Sequence, residues 1–164
     1  MNKIARFEKV SSQQFAADVA SFADGSAAYE RIQLPRRATS GSAGYDVFSP
    51  FSFILKPGES IKIPSGIRCR IEDGWVLFIM PKSGLGTRYR LQLNNTIGVV
   101  DADYYYADNE GHIIISLTND SKENKTLEVA EGKAIVQFVF LPFGITEDDE
   151  ACGVRTGGFG STGV

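Results

Sequence analysis

The spacing of apolar residues changes character near Ile32. Before it, residues 3–10 read as a short strand, and Ser11 or Ser12 then offers a helix cap ahead of Phe15, Val19 and Phe22, whose spacing sets them near one helical face. That helix is expected to end at Gly25. From Ile32 onward the helical period gives way to short runs rich in Val, Ile and Phe. They are punctuated by Ser49-Pro50, Lys56-Pro57-Gly58, Pro64-Ser65-Gly66 and Glu72-Asp73-Gly74. Further strands are predicted over 75–80, 113–118, 125–129 and 134–141. Short strands separated by turn residues are the pattern of an all-β sandwich or barrel. The end of the chain, from Arg155 to Val164, is rich in glycine and almost without aliphatic side chains, so a flexible tail is predicted there.

Composition adds bounds. A chain of 164 residues, 43% hydrophobic and 23% charged, has the balance of one domain that buries a core without staples. No run approaches the roughly 18 apolar residues of a membrane span, and no basic-then-apolar leader opens the chain, so a soluble, cytoplasmic protein is expected, without a membrane partner. Cys69 and Cys152 form no CxxC pair and read as reduced thiols. A net charge of -3 argues against a surface for nucleic acid, so any phosphate chemistry requires a local positive cluster.

Four segments offer such chemistry. In Met80-Pro81-Lys82-Ser83-Gly84-Leu85-Gly86-Thr87-Arg88 a strand runs into a small polar turn; Lys82 supplies charge, Ser83 a donor, and successive amides can face an anion, more so if a helical turn begins at Ser83. An ordinary strand-ending turn is the plainer reading of this segment alone. The tail, Arg155-Thr156-Gly157-Gly158-Phe159-Gly160-Ser161-Thr162-Gly163, surrounds one aromatic ring with a guanidinium, hydroxyls and approachable amides, which suits closure over a nucleotide better than a plain linker. Asn94 to Tyr104 delivers Asp101 and Asp103, either able to activate a water if rigidly held; their spacing does not say which. Thr39 to Asp46 places a carboxylate after a small-residue loop, suited to a hydrated magnesium ion or simply to capping a turn.

In order, these segments resemble the motifs of the trimeric dUTPase family: Ala43-Gly44-Tyr45-Asp46; Pro81-Lys82-Ser83-Gly84-Leu85; Asn95 to Tyr104; Glu131-Gly132-Lys133-Ala134-Ile135-Val136-Gln137; and Gly157-Gly158-Phe159-Gly160-Ser161-Thr162-Gly163. The resemblance runs from about Ile32 to Gly163. It implies a jelly-roll-like β fold with a domain body ending at 154 and a closing arm over 155–164; the strand and one short N-terminal helix over about 1–28 are an addition to what it requires. It implies a homotrimer with sites at subunit interfaces and magnesium-dependent hydrolysis of dUTP to dUMP and pyrophosphate, which supplies dUMP for thymidylate synthesis and keeps uracil out of DNA.

By the same resemblance, Asp101 activates the attacking water and Asp46 holds the metal's hydration shell. Lys82, Ser83, Gly84 and Gln137 serve the triphosphate, as do Arg155, Phe159, Gly160, Ser161 and Thr162 of the arm. Asn95, Gly98, Val99, Val100 and Ile114 pair with the uracil edge, and Tyr104 lies under the deoxyribose and excludes a 2'-hydroxyl.

The chain departs from the family pattern in four places. Lys82 stands where Arg is usual, Ala134 where Arg is frequent, Arg155 lies one position nearer the glycine pair, and the run from Tyr105 to His112 exceeds a short turn. His112, the sole histidine, reads as a polar strand residue. Two other functions compete. A deaminase of the same fold acting on dCTP needs a glutamate-centred proton shuttle where this hairpin has Asp101. A nucleotide-switched regulator, resembling some phage-encoded relatives, would engage a protein partner through the added helix or the 105–112 loop.

Overall fold

In a computed structural model of the chain, residues 2–22, 27–153, 155 and 157 are described. Twelve strands and two helices follow in the order β1 (Ala5–Lys9), α1 (Ser12–Phe22), β2 (Arg36–Arg37), β3 (Tyr45–Phe48), β4 (Phe53–Leu55), β5 (Ser60–Pro64), β6 (Ile67–Ile71), β7 (Trp75–Pro81), α2 (Ser83–Tyr89), β8 (Leu91–Leu93), β9 (Gly98–Val100), β10 (Ile114–Asn119), β11 (Leu127–Val129) and β12 (Ala134–Pro142). Single 3-10 turns cover Tyr29–Arg31 and Ala102–Tyr106.

All pairings are antiparallel. The widest sheet has the order β2-β3-β12-β7-β9; a second is β5-β10-β8, and β1-β6 and β11-β4 form two ribbons. Alternation places one side of each strand inside: β10 buries Ile115, Leu117 and Asn119 while its intervening residues are half-exposed. Facing layers bring Val47, Ile63, Leu77, Ile79, Leu117, Ile135 and Phe138 into one core, all essentially without solvent contact. This mostly β, jelly-roll-like architecture is the one expected. The expected strands are present with ends moved by a residue or two, and Gly58, Gly66 and Gly74 occupy the left-handed region in three of the four predicted turns.

α1 begins where the cap predicts. Ser11 Oγ accepts the Gln14 N–H at 3.0 Å, and the Ser11 carbonyl accepts the Phe15 N–H at 3.0 Å. Phe15 and Val19 are buried with Val10, Ile32 and Ile67 in a satellite core of their own. The predicted end at Gly25 lies outside the described residues. One helix was expected and two are present: α2 follows Lys82 directly, and its two glycines and lack of buried residues left no apolar period to read.

Candidate active site

The predicted site residues fall into two groups. The first lies on the wide sheet. A bulge in β12 between Ala134 and Val136 resets the register, so that Gln137 lies opposite Asp46 of β3 on one side and Met80 of β7 on the other. Without the extra residue, Val136 would oppose Asp46 and Gln137 would turn to the other face. Directly opposed residues of antiparallel strands project to the same face, so Asp46 and Gln137 share one, joined by Arg36 of β2. Gly44 makes room for them: a Cβ there would stand 2.6 Å from Gln137 Oε1. Lys82, between β7 and α2, donates from Nζ to Asp46 Oδ1 at 2.6 Å, with both side chains partly exposed. Ser83 and Gly84 open α2 and are exposed. The Lys82 carbonyl takes the N–H groups of Leu85 and Gly86, while the first amides of a helix have no acceptor within it.

The second group surrounds the turn between β8 and β9. Asn95, Gly98 and Ile114 line one cavity of about 130 Å³ with Ile79, Leu93, Asn94, Ile115 and Ser116. Gly98 lies against β7, and a Cβ there would meet the Ile79 side chain at 2.8 Å. β9 closes the sheet order, so alternate N–H and C=O groups of Gly98–Val100 point away from β7. Beyond Val100 the chain does not stay extended. Asp101 is the extended residue before a 3-10 turn closed by Tyr104 N–H on the Asp101 carbonyl at 3.2 Å.

The two carboxylates of this turn converge on one guanidinium. Arg155 Nη2 donates to Asp101 Oδ2 at 2.6 Å and its Nε to Asp103 Oδ1 at 3.0 Å, and the same guanidinium lies 5.7 Å from the centre of the Tyr104 ring. The shifted arginine therefore reaches the carboxylate that the resemblance makes the base. Tyr104 is buried, which raises its pKa above the usual phenol value, and its Oη donates to the His112 carbonyl at 2.7 Å. Phe159, Gly160, Ser161 and Thr162 lie outside the described residues. A larger cavity, about 650 Å³ between β1 and the sheet, is lined by aromatic residues including Phe7, Tyr45, Trp75 and Phe140 and contains none of the predicted site residues.

His112 is the main surprise. It precedes β10 and is fully buried. Its Nε2 accepts the Gly66 N–H at 2.7 Å, which fixes the ring proton on Nδ1, 2.5 Å from Asp18 Oδ2 on α1. Burial holds its pKa below the usual imidazole value in spite of the opposing pull of Asp18 and Glu110. The pairing joins residues 94 apart, and no local pattern announces it.

A sequence profile described as dUTPase matches residues 30–163. The deoxyuridine 5'-triphosphate nucleotidohydrolase of Lactococcus lactis subsp. lactis is 40% identical over 136 residues, 81% of this chain and 89% of the relative; that of Paraburkholderia phytofirmans is 38% identical over 139 residues, covering 81% and 90%. Among solved structures, the dUTPase of Streptococcus mutans superposes with a TM-score of 0.66 at 30% identity, covering 86% of this chain and 98% of its own.

Proposed function

The chain belongs to the dUTPase family and is a dUTP diphosphatase, and we propose that it cleaves its substrate by aiming a water, deprotonated by Asp101, at the α-phosphorus. The observation that carries this reading is the small cavity lined by Asn95, Gly98 and Ile114, set beside the turn that presents Asp101 and Tyr104. Uracil enters the cavity and pairs with main-chain groups of Asn95, Gly98, Val99, Val100 and Ile114; a cytosine leaves some of them unpaired, a stronger penalty than shape alone provides. Tyr104 lies against the deoxyribose.

The proton of the attacking water passes to Asp101 as the new P–O bond forms, and the bond from the α-phosphorus to the bridging oxygen of the leaving pyrophosphate breaks. Positioning and charge neutralisation supply most of the acceleration in such substitutions. Lys82, Ser83, Gly84 and Gln137 hold the triphosphate, and Arg155, Phe159, Gly160, Ser161 and Thr162 cover it. Lys82 does so as a point charge without an arginine's fork.

Among the described residues no three His, Cys, Asp or Glu side chains gather as a metal cage. Asp46, here paired with Lys82, is a single hard oxygen donor, which would fit a magnesium ion that keeps most of its waters. Asp46 would hold such an ion through water, and the ion would supply charge that neutralises the triphosphate.

The same reading makes the enzyme a homotrimer in which the sheet group of one subunit meets the hairpin group of another. Support comes from exposed apolar side chains, Val99 at 50%, Phe143 at 52% and Ile145 at 74%, that a partner would cover.

The test is pyrophosphate release from dUTP, dTTP, dCTP and UTP with magnesium, beside Asp101→Asn. We expect dUTP alone to turn over quickly, and the variant to lose roughly 10²- to 10⁴-fold in kcat while still binding a non-hydrolysable analogue. A fully active Asp101→Asn would overturn the assignment of the base.

A further inference from the structure

Two parts of the chain that set it apart from the dUTPase pattern, the segment ahead of the family match and the 105–112 stretch, are bonded to each other beside Tyr104. Glu110 accepts both the Ser11 N–H at 2.7 Å and the Ser11 hydroxyl at 2.6 Å, so the cap of α1 is fastened to this stretch. About two helical turns on, Asp18 faces His112 Nδ1. From there the contacts lead to the proposed sugar site: the His112 carbonyl accepts from Tyr104 Oη at 2.7 Å and from Asn109 Nδ2 at 3.2 Å, and Asn109 also donates to Tyr104 Oη at 2.9 Å. Gly111 permits the tight path of the main chain here, with φ +69° and a hypothetical Cβ only 2.7 Å from the Tyr104 carbonyl.

We propose that Asp18 and His112 are positioning residues for sugar discrimination: α1 fixes the His112 ring, the ring fixes its own main chain, and that main chain holds Tyr104 where it excludes a 2'-hydroxyl. The inference rests on the reading of Tyr104 given above. Its physical content is the completeness of the ring's bonding. A neutral, fully buried imidazole has one acceptor and one donor, and Gly66 and Asp18 use both. Removal of the Asp18 carboxylate orphans a buried N–H, a loss that the ring recovers only by moving and taking its carbonyl with it. Docking of α1 does not depend on the carboxylate, since Phe15 and Val19 already bury its apolar face against Val10, Ile32 and Ile67. A site that selects by steric exclusion is sensitive to displacements of about an ångström or less in its supporting residues.

The experiment compares kcat/KM for dUTP with that for UTP in the full-length protein, below the melting temperature of every variant. In Asp18→Ala the dUTP preference should fall roughly 3- to 10-fold, the equivalent of one hydrogen bond. Asp18→Asn, whose amide oxygen still accepts from Nδ1, should restore most of it. Tyr104→Phe, which keeps the ring and cuts the tether, should lose preference as Asp18→Ala does. Val19→Ala should lower the melting temperature with the preference unchanged. An unaltered preference in Asp18→Ala or Tyr104→Phe, or a loss in Val19→Ala as large as in Asp18→Ala, overturns the proposal. Tyr104→Ala separates the two levels: if it leaves the preference intact, the sugar-site reading itself fails, whereas a collapse there beside an unchanged Asp18→Ala sinks the positioning role alone.

Discussion

Replacing Gly44 with Ala should injure the phosphate site while leaving the fold nearly intact. A Cβ at this position comes within 2.6 Å of Gln137 Oε1 but stays 3.5 Å from Cδ and 3.6 Å from Cβ of the same residue, so only the outer end of a flexible side chain conflicts. Gly44 is not among the glycines at positive φ, and alanine fits its backbone. Turning the amide away costs about 0.5–1.5 kcal/mol if Gln137 leaves a preferred rotamer, and the smaller entropy of an unfolded alanine offsets about 0.4–1 kcal/mol. In a chain of this size such a difference moves the melting temperature by only about 2–4 °C. The displaced amide, however, is the one that stands opposite Asp46 in the register. Loss of one hydrogen bond to the charged triphosphate corresponds to roughly a 10- to 150-fold fall in kcat/KM for dUTP. Pyrophosphate release and calorimetry on Gly44→Ala, Gln137→Ala and the double variant test this directly. The double variant should be no worse than Gln137→Ala, because both changes remove the same contact. Additive losses, or a Gly44→Ala protein that melts more than about 10 °C lower, would refute the reasoning.

Acid should weaken the protein first through its only histidine. The folded pKa of His112 lies below the ordinary value of 6.5, so the unfolded chain binds the proton more readily, and the stability conferred by the neutral ring is lost as pH falls from about 6.5 toward the folded value. Below that, Glu110 and Glu8, whose pKa values are lowered by bonds from Ser11 and Tyr105, add a second decline on the acid side of 4.5. A His112→Gln variant should lack the first decline in a melting series, and a wild-type profile flat from pH 7.5 to 5.5 would contradict the assignment. Phe138→Ala, in the fully buried centre of β12, should cost about 3–5 kcal/mol in urea unfolding, and a loss under about 1 kcal/mol would show that the core collapses around the gap. Under mild alkylation Cys152, which is exposed, should react well before Cys69, whose thiol burial pushes up to about 12; modification of both at equal rates would contradict that burial.

The strands were legible because their chemistry is local. Val, Ile and Phe alternate with polar residues, and glycines mark the turns, so 75–80 or 134–141 can be read without knowledge of their partners. The helix cap at Ser11 was legible for the same reason. What escaped depended on register or on distant pairing. Lys82 and Asp46 are 36 residues apart and meet only because β7 and β3 flank β12, while the bulge before Val136 is what aligns Gln137 with them. For α2 the sequence offers only the option of a helical turn at Ser83, because Ser83-Gly84-Leu85-Gly86 has poor helix propensity and buries nothing, and its place after β7 makes it a helix. His112 reads from the sequence as a polar strand residue but lies just ahead of β10 and fully buried, and nothing nearby signals a carboxylate supplied by α1. The candidate residues themselves were readable by their resemblance to a known set, and their grouping required the sheet.

The seam between α1 and the 105–112 stretch bears on how this protein can be recombined with its relatives. A chimera that grafts another chain's short hairpin in place of 105–112 leaves Ser11 without Glu110 and Asp18 without His112; one that drops the first helix strands a buried imidazole and bares Ile67. The two pieces, distant in sequence, form a single transferable cassette, and exchange succeeds only when both travel together.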